Sequence, residues 1–231
     1  EILTTKDQFR ITSIYYEVLD MPLAELETKH LVLIRWQNAK TEITDTLKFL
    51  VPKTETFEYL LKELPERVNL VHNKGIRLFE VTGSKITRII QPSTSVRTVY
   101  SGNIVAEEIL TEETNKETED KIINVLHGWS GTSGNQPLKF FGNPFRCLSK
   151  KDEPLSSMIE RIRQRLHLSV EEMKEWKYAI TAYKDKTYLD EDDCLSDHVF
   201  HSHTYFVLVH RNTSVRSSLK IYKDKPIKIY N

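Results

Sequence analysis

The sequence predicts an α+β protein in which one arrangement of strands and helix occurs twice. Three observations lead to this fold class. Short stretches alternate apolar and polar side chains, as strands with one buried face do. Each half contains a stretch with the spacing of an amphipathic helix. Between the halves lies the acidic segment 111–120, which has no hydrophobic period. The chain has 231 residues, 39% of them apolar, which suffices for the cores of two domains.

The first half begins with two predicted strands, at 30–37 and 41–51. A helix is predicted over 54–64, because its apolar residues recur at the i, i+3, i+4, i+7 positions of one helical face, and Pro65 ends it. Those apolar residues are Phe57, Leu60, Leu61 and Leu64. Three more strands are predicted at 75–81, 85–91 and 103–110.

The second half repeats this plan. Strands are predicted at 121–129 and 138–149, joined by a turn-rich segment. A helix is predicted over 154–166, whose single apolar face is made of Leu155, Met158, Ile159, Ile162 and Leu166. Ser169 and Glu172 form the capping pattern of a second, short helix. Later strands are predicted at 176–183 and 204–211.

Two copies of strand–strand–helix–strand–strand–strand, each of roughly 100 residues, indicate two tandem β-grasp domains. A helix packed across one face of a mixed sheet buries the apolar surfaces of both elements. The predicted organisation is a lead-in segment (1–28), a first domain (29–112), an acidic linker (113–120), a second domain (121–212) and an extended basic C-terminal tail (213–231).

Composition limits the partners and the cellular location. Lys plus Arg and Asp plus Glu both total 33, so the net charge predicts no nucleic-acid partner. The sequence contains no apolar run long enough for a membrane span and no secretory signal. Cys147 and Cys194 are far apart, which fits a reducing, intracellular compartment such as the cytoplasm or the nucleus. Because Glu1 is not Met, we expect a piece of a longer protein.

The tail combines basic and apolar residues and ends in Lys225–Asn231, KPIKIYN. In an extended chain Ile227 and Ile229 share one face. Burying both contributes roughly 3–6 kcal/mol, whereas ordering each residue costs about 1–2 kcal/mol. A free peptide would therefore bind weakly, but a tethered one reaches an effective concentration of order mM. We expect an intramolecular ligand. The alternatives are an edge strand on its own domain and a tail without fixed structure.

Several side chains suggest chemistry that the pattern does not support. Zinc uses ligands of the types found at Cys194, His198, His201 and His203, but structural sites take ligands in two pairs, and no second pair follows. A solvated loop is favoured, with no metal and no cofactor. Cys147 lies in an apolar stretch, where a buried thiol is expected rather than a nucleophile.

Aromatic residues and acids have simpler interpretations. Trp129 and Trp176 occupy strand-like positions and are expected in the core, whereas Trp36 could face either way. The acidic run 190–193 could contact a basic partner, although such runs in loops are usually solvated.

Five stretches resemble the C-terminal region of the herpesvirus-associated ubiquitin-specific protease family of cysteine deubiquitinases. They are YYEVLDMPLAELE (15–27), VAEEI (105–109), FGNPF (141–145), EEMKEWKYAI (171–180) and IKIYN (227–231). The resemblance implies the last two of several ubiquitin-like domains, with the catalytic domain N-terminal of this region and no catalytic residue within it.

The resemblance also implies a role for the last residues of the tail. In that family a C-terminal peptide docks on the catalytic domain and favours its active arrangement. The corresponding positions are Ile227, Lys228, Ile229 and Asn231, and the sequence departs from the family pattern at Pro226 and Tyr230. Proline fixes φ and removes a donor, and tyrosine is larger than histidine, so the resemblance does not extend to the details of the docking groove at these two positions.

Three functions remain open at this point. The first is a regulatory region whose partner is the catalytic domain of the same protein and which acts on ubiquitin only indirectly. The second is a ubiquitin-like docking scaffold that recruits substrates or adaptors. The third is a stand-alone β-grasp module that binds a small GTPase or a kinase.

Overall fold

The computed structural model describes residues 22–131, 136–182, 185–201 and 203–212, and within them the protein is α+β with two five-stranded sheets. The first unit contains α1 (Leu23–Thr28), β1 (Lys29–Gln37), β2 (Ile43–Pro52), α2 (Phe57–Glu63), β3 (Ile76–Thr82), β4 (Lys85–Ile90) and β5 (Ile104–Glu108). After the connecting α3 (Thr111–Thr114), the second unit contains β6 (Lys121–Trp129), β7 (Lys139–Ser149), α4 (Leu155–Leu166), α5 (Val170–Met173), β8 (Lys177–Ala182), β9 (Asp185–Leu189) and β10 (Thr204–Val209). Short 3-10 helices occur at Leu64–Glu66, Val96–Thr98, Ser101–Asn103 and Leu195–Asp197.

The two sheets have the same topology. The strand order is β2-β1-β5-β3-β4 in the first unit and β7-β6-β10-β8-β9 in the second. In each sheet the first and last strands of the unit pair in parallel at the centre, and the other described pairs are antiparallel. The C-terminal end of the second unit therefore leaves from a central strand, β10.

The main helix of each unit is capped by the loop that follows the fourth strand of its sheet. In the first unit the amides of Phe57 and Glu58 donate to the carbonyls of Thr94 and Pro92, at 3.0 and 2.8 Å. In the second unit the amides of Leu155 and Ser156 donate to the carbonyls of Asp193 and Glu191, at 2.8 and 2.9 Å. The acidic run 190–193 is thus held at the start of α4 by its backbone, which satisfies amides that have no partner inside a helix.

Each unit has a core between its helix and one face of its sheet. The first core includes Val32, Ile34, Phe49, Phe57, Leu60 and Leu78, and the second includes Val125, Phe145, Leu155, Met158, Ile162 and Phe206. Residues that alternate with these along the strands form a smaller apolar cluster on the opposite face of each sheet. These opposite faces meet at β4, where the Tyr205 hydroxyl donates to the Ile86 carbonyl at 3.3 Å and the Lys85 ammonium lies 4.5 Å from the Phe140 ring centroid.

Buried ion pairs connect the two units. Glu107, at the end of the first sheet, lies against Arg165 of α4 and against Arg77 of β3, whose Nε is 3.2 Å from the Glu107 carboxylate. Arg77 also pairs with Glu113. The side chain of Glu107 is 1% exposed and that of Arg165 is 7% exposed, so these charges are removed from water.

Neutral hydrogen bonds reinforce the same contact. The Gln37 side chain donates to the Pro144 carbonyl at 3.2 Å, and the Asn143 side chain donates to the Thr41 carbonyl at 3.0 Å. Arg165 Nε donates to the Ala39 carbonyl at 2.9 Å. These bonds tie the β1–β2 turn region to β7 and α4.

The predicted elements are largely confirmed. The helix expected over 54–64 is α2, followed by a 3-10 turn that contains Pro65, and the helix expected over 154–166 is α4. Ser169 and Glu172 form the predicted capping box of α5. Sequence analysis missed β9, an edge strand in which only Leu189 is buried, because its five residues carry little apolar alternation. Among the described residues, no helix is both long and apolar enough to cross a membrane.

Candidate functional site: an aromatic cavity where the C-terminal tail begins

The predicted binding residues Pro226, Ile227, Lys228, Ile229, Tyr230 and Asn231 lie outside the described residues. The structure does describe the point at which the tail leaves the second unit. Strand β10 ends at Val209, and the His210 amide donates to the Gly128 carbonyl at 2.9 Å, which extends the pairing with β6 by one residue. The tail therefore starts from a fixed position at the end of the central strands.

A cavity of about 560 Å³ opens at this position. Its walls come from the ends of β6 and β10, from β9, and from α5 with the segment that joins it to β8. The apolar part of the lining is formed by Trp129, Leu168, Trp176, Tyr188 and Val209. This volume lies in the range of sites that bind small molecules or a few peptide side chains.

Trp176 and His210 form the floor of this aromatic lining. Their rings are stacked, with centroids 3.8 Å apart and an interplanar angle of 4°. Behind them His127 Nδ1 lies 2.9 Å from His210 Nε2, so one imidazole donates this hydrogen bond and the other accepts it. Burial, and secondarily the charge of His210, lowers the pKa of His127 to about 4. Burial also lowers the pKa of His210, so the pair is neutral at physiological pH.

One wall of the cavity is acidic. Glu171, Glu172 and Glu175 line it within a stretch of five residues, and the cations that also line the cavity are Lys177 and Arg211. Glu172 accepts hydrogen bonds from the amide and hydroxyl of Ser169, and these bonds lower the pKa of its carboxyl.

The other two carboxylates of this wall are exposed. Glu171 lies 3.7 Å from Lys174 in an exposed pair, and Glu175 has no ion pair among the described residues. The cavity thus offers an aromatic floor beside available negative charge, which suits an apolar segment that carries lysines.

The tryptophans correct the sequence analysis. Trp129 and Trp176 were expected in the core. Trp176 does pack against the second core, but both side chains are half-buried and line the cavity, while Trp36 is buried at 5% exposure. Trp129 is the last residue of its strand, and Trp176 lies just before the start of β8. Strand ends lie at the rim of a sheet. A tryptophan at the end of a predicted strand, with several glutamates nearby in the sequence, was therefore the signal that could have indicated the cavity.

The thiols and the histidine cluster do not assemble a reactive site. Burial raises the pKa of Cys147 to about 12, so it remains a thiol, and its 2% exposure confirms the predicted buried position. Cys194 is half-buried and forms a β-bridge with Pro154 next to the start of α4. Among the described residues, no three His, Cys, Asp or Glu side chains are grouped to hold a metal ion.

Comparison with known proteins identifies a family and several relatives. Residues 13–215 match the family model described as ubiquitin-specific protease C-terminal. The chain is 30% identical, over 94% of its length, to ubiquitin C-terminal hydrolase 12 of Arabidopsis thaliana, of which it covers 21%. It is 22% identical over its whole length to ubiquitin carboxyl-terminal hydrolase 7 of Drosophila melanogaster, of which it covers 22%. Ubiquitin carboxyl-terminal hydrolase 15 of Schizosaccharomyces pombe is 25% identical over 78% of the chain, which covers 16% of it.

The chain spans about a fifth of the length of the first two of these relatives. The family model covers all of the described residues, including both sheets, the ion pairs that join them and the cavity. The chain therefore belongs to the ubiquitin-specific protease C-terminal family.

Proposed function

We propose that the chain is the non-catalytic regulatory region of a ubiquitin-specific cysteine protease. Its C-terminal residues 226–231 bind the catalytic domain of the same protein and promote removal of ubiquitin from substrates. The observation that carries this proposal is the family match over residues 13–215, together with relatives whose names describe ubiquitin C-terminal hydrolases. The protein would act inside the cell, in the cytoplasm or the nucleus.

We further propose that each unit is a ubiquitin-like β-grasp domain. The identical strand order, the parallel central pair and the equivalent helix caps support this assignment. The domains would span 29–112 and 121–212, with 113–120 as the linker and 213–231 as the tail. Their function is to hold the tail: the buried contact through Glu107 and Arg165 limits rotation between the units, so the tail starts from a defined direction.

The test uses the intact parent protein with the changes Ile227→Asp and Ile229→Asp together. Hydrolysis of a ubiquitin–fluorophore substrate is measured as kcat/KM. We expect a loss in the roughly 5- to 150-fold range typical of coupling between sites, because two charged side chains cannot occupy an apolar groove. The matched control changes Ser217→Ala and Ser218→Ala in the same tail and keeps full activity. Equal activity of all three proteins would reject the regulatory role.

A docking scaffold is the second candidate, and the cavity is the observation that favours it. Its 560 Å³ and its acidic wall could receive a lysine-containing segment of a substrate or an adaptor. In that case the tail change leaves kcat/KM unaltered, while Trp129→Ala in the cavity reduces recruitment of the partner by the intact protein.

A further inference from the structure

The cavity lies directly at the root of the tail. His210 and Arg211 belong to its lining, and the segment 213–231 follows one residue later. This segment carries five basic residues against Asp224, whereas carboxylates outnumber cations in the cavity lining by three to two. The tail is therefore opposite in charge to the carboxylates of the cavity and is covalently attached at its edge.

The tail contains the same short pattern twice. Leu219–Tyr222 reads LKIY and Ile227–Tyr230 reads IKIY, so an aliphatic residue, lysine, isoleucine and tyrosine recur after eight residues. Each copy places two aliphatic side chains on one face of an extended chain and a lysine and a tyrosine on the other. The proposed function uses only the second copy.

We propose that the cavity binds the first copy, Leu219–Tyr222, and so anchors the tail to its own second unit while the second copy stays available to the catalytic domain. In an extended segment Lys223 shares the face of Leu219 and Ile221. This face lies on Trp129 and Trp176, with Lys223 near the carboxylates of Glu171 and Glu175.

The length of the intervening chain permits this contact. Six residues lie between Asn212 and Leu219, and these seven steps along the chain span up to roughly 23–25 Å when extended. That suffices for the chain to turn back over a cavity whose lining includes the start of the tail. Tethering gives an effective concentration of order mM, so a weak site is enough. Closing the shorter loop costs less entropy than closing the loop to the second copy, which favours Leu219–Tyr222 as the occupant.

The experiment uses the three tryptophans of the 231-residue chain as reporters. Their indole N–H groups give separate signals in an ¹H–¹⁵N correlation spectrum, and Trp36, buried in the first unit, is the internal reference. The changes Leu219→Asp and Ile221→Asp are made together, with Ile227→Asp and Ile229→Asp as the matched control pair. We expect the first pair to shift the signals of Trp129 and Trp176, the control pair to leave them in place, and Trp36 to be constant in both.

Three results would overturn the proposal. If neither pair moves the two signals, the cavity does not hold the tail. If only the control pair moves them, the second copy is the occupant. If the shifts of the first pair disappear on dilution of the chain, the segment comes from a second molecule.

This inference deepens the proposed function, since it rests on that function for the role of the second copy. The spectra require no catalytic domain, whereas the kcat/KM comparison requires the intact parent. A failure of one is therefore distinguishable from a failure of the other.

Discussion

Glu107 is the residue on which the contact between the units depends most. Its carboxylate lies between Arg165 of α4 and Arg77 of β3, and it is 1% exposed. A buried ion pair adds little net stability when intact, because desolvation opposes the attraction, but removing one partner leaves an uncompensated charge. The stability of the contact between the two units therefore depends on the charge of one residue, Glu107.

The change Glu107→Gln tests this directly. The amide has nearly the same shape but leaves the buried guanidinium group of Arg165 without its counter-ion, while Arg77 keeps only Glu113. We therefore expect a loss of about 3–5 kcal/mol in the free energy of unfolding. Urea denaturation of the 231-residue chain measures this change in the free energy of unfolding. Glu160→Gln, which alters an exposed ion pair in the same region, is the control and should have a much smaller effect. Equal effects of the two changes would contradict the importance of burial.

His127 makes stability depend on pH. Its pKa is lowered to about 4 in the folded protein, chiefly by burial, and is about 6.5 when unfolded. Between these values the unfolded chain binds more protons than the folded one, so stability falls as the pH drops from 6.5 to 4. A shift of this size corresponds to roughly 3 kcal/mol.

The predicted signature is a steep fall of the urea midpoint between pH 6.5 and 4.5 that becomes shallower in His127→Gln. The exposed His201→Gln is the control and should retain the full slope. A slope that is unchanged in His127→Gln would show that other groups cause the acid sensitivity.

Among the elements, the parallel pair β6–β10 determines where the cavity and the tail root lie. Gly128 allows the close approach of these strands, because a Cβ at this position would lie 2.7 Å from Val207 Cγ1. The next residue on β6 is Trp129, and the Gly128 carbonyl accepts from the His210 amide. Gly128 therefore determines both the spacing between β6 and β10 and the geometry of the cavity next to it.

We expect Gly128→Ala to lower the free energy of unfolding by about 1–3 kcal/mol, the usual effect of overpacking. The change should also shift the indole signals of Trp129 and Trp176. Gly83→Ala is the control, since it lies in the β3–β4 turn of the first unit, where an added Cβ meets nothing within 4 Å. Gly83→Ala introduces backbone strain but should leave the indole signals of Trp129 and Trp176 unchanged. A shift of the two signals in both variants would contradict the local role of Gly128.

The elements of the fold differ in how well the sequence predicts them. α2 and α4 were predicted well, because a 3.6-residue period over several turns is a strong local signal. β9 was missed because it is a short edge strand that buries one residue. The cavity was missed because its walls come from four separate parts of the chain, although EEMKEWKYAI, one of the stretches behind the family resemblance, contains the acidic wall and Trp176.

At the scale of the whole molecule, the contact between units could not be derived from local pattern. Arg165 and Ala39 are 126 residues apart, and Gln37 and Pro144 are 107 apart. No periodicity relates such residues, yet FGNPF and VAEEI contain Asn143, Pro144 and Glu107, which make these contacts. The stretches on which the family resemblance rests therefore also contain residues that form the contact between the two units.

The proposed function requires that the tail act as a tethered ligand of the catalytic domain. The most direct measurement adds the synthetic peptide KPIKIYN to the parent protein lacking residues 213–231 and follows hydrolysis of a ubiquitin–fluorophore substrate. We expect the truncation to lower kcat/KM and the peptide to restore it saturably, with half-saturation of order mM, while a scrambled peptide does not. Full activity of the truncated protein, with no response to the peptide at any concentration, would contradict it.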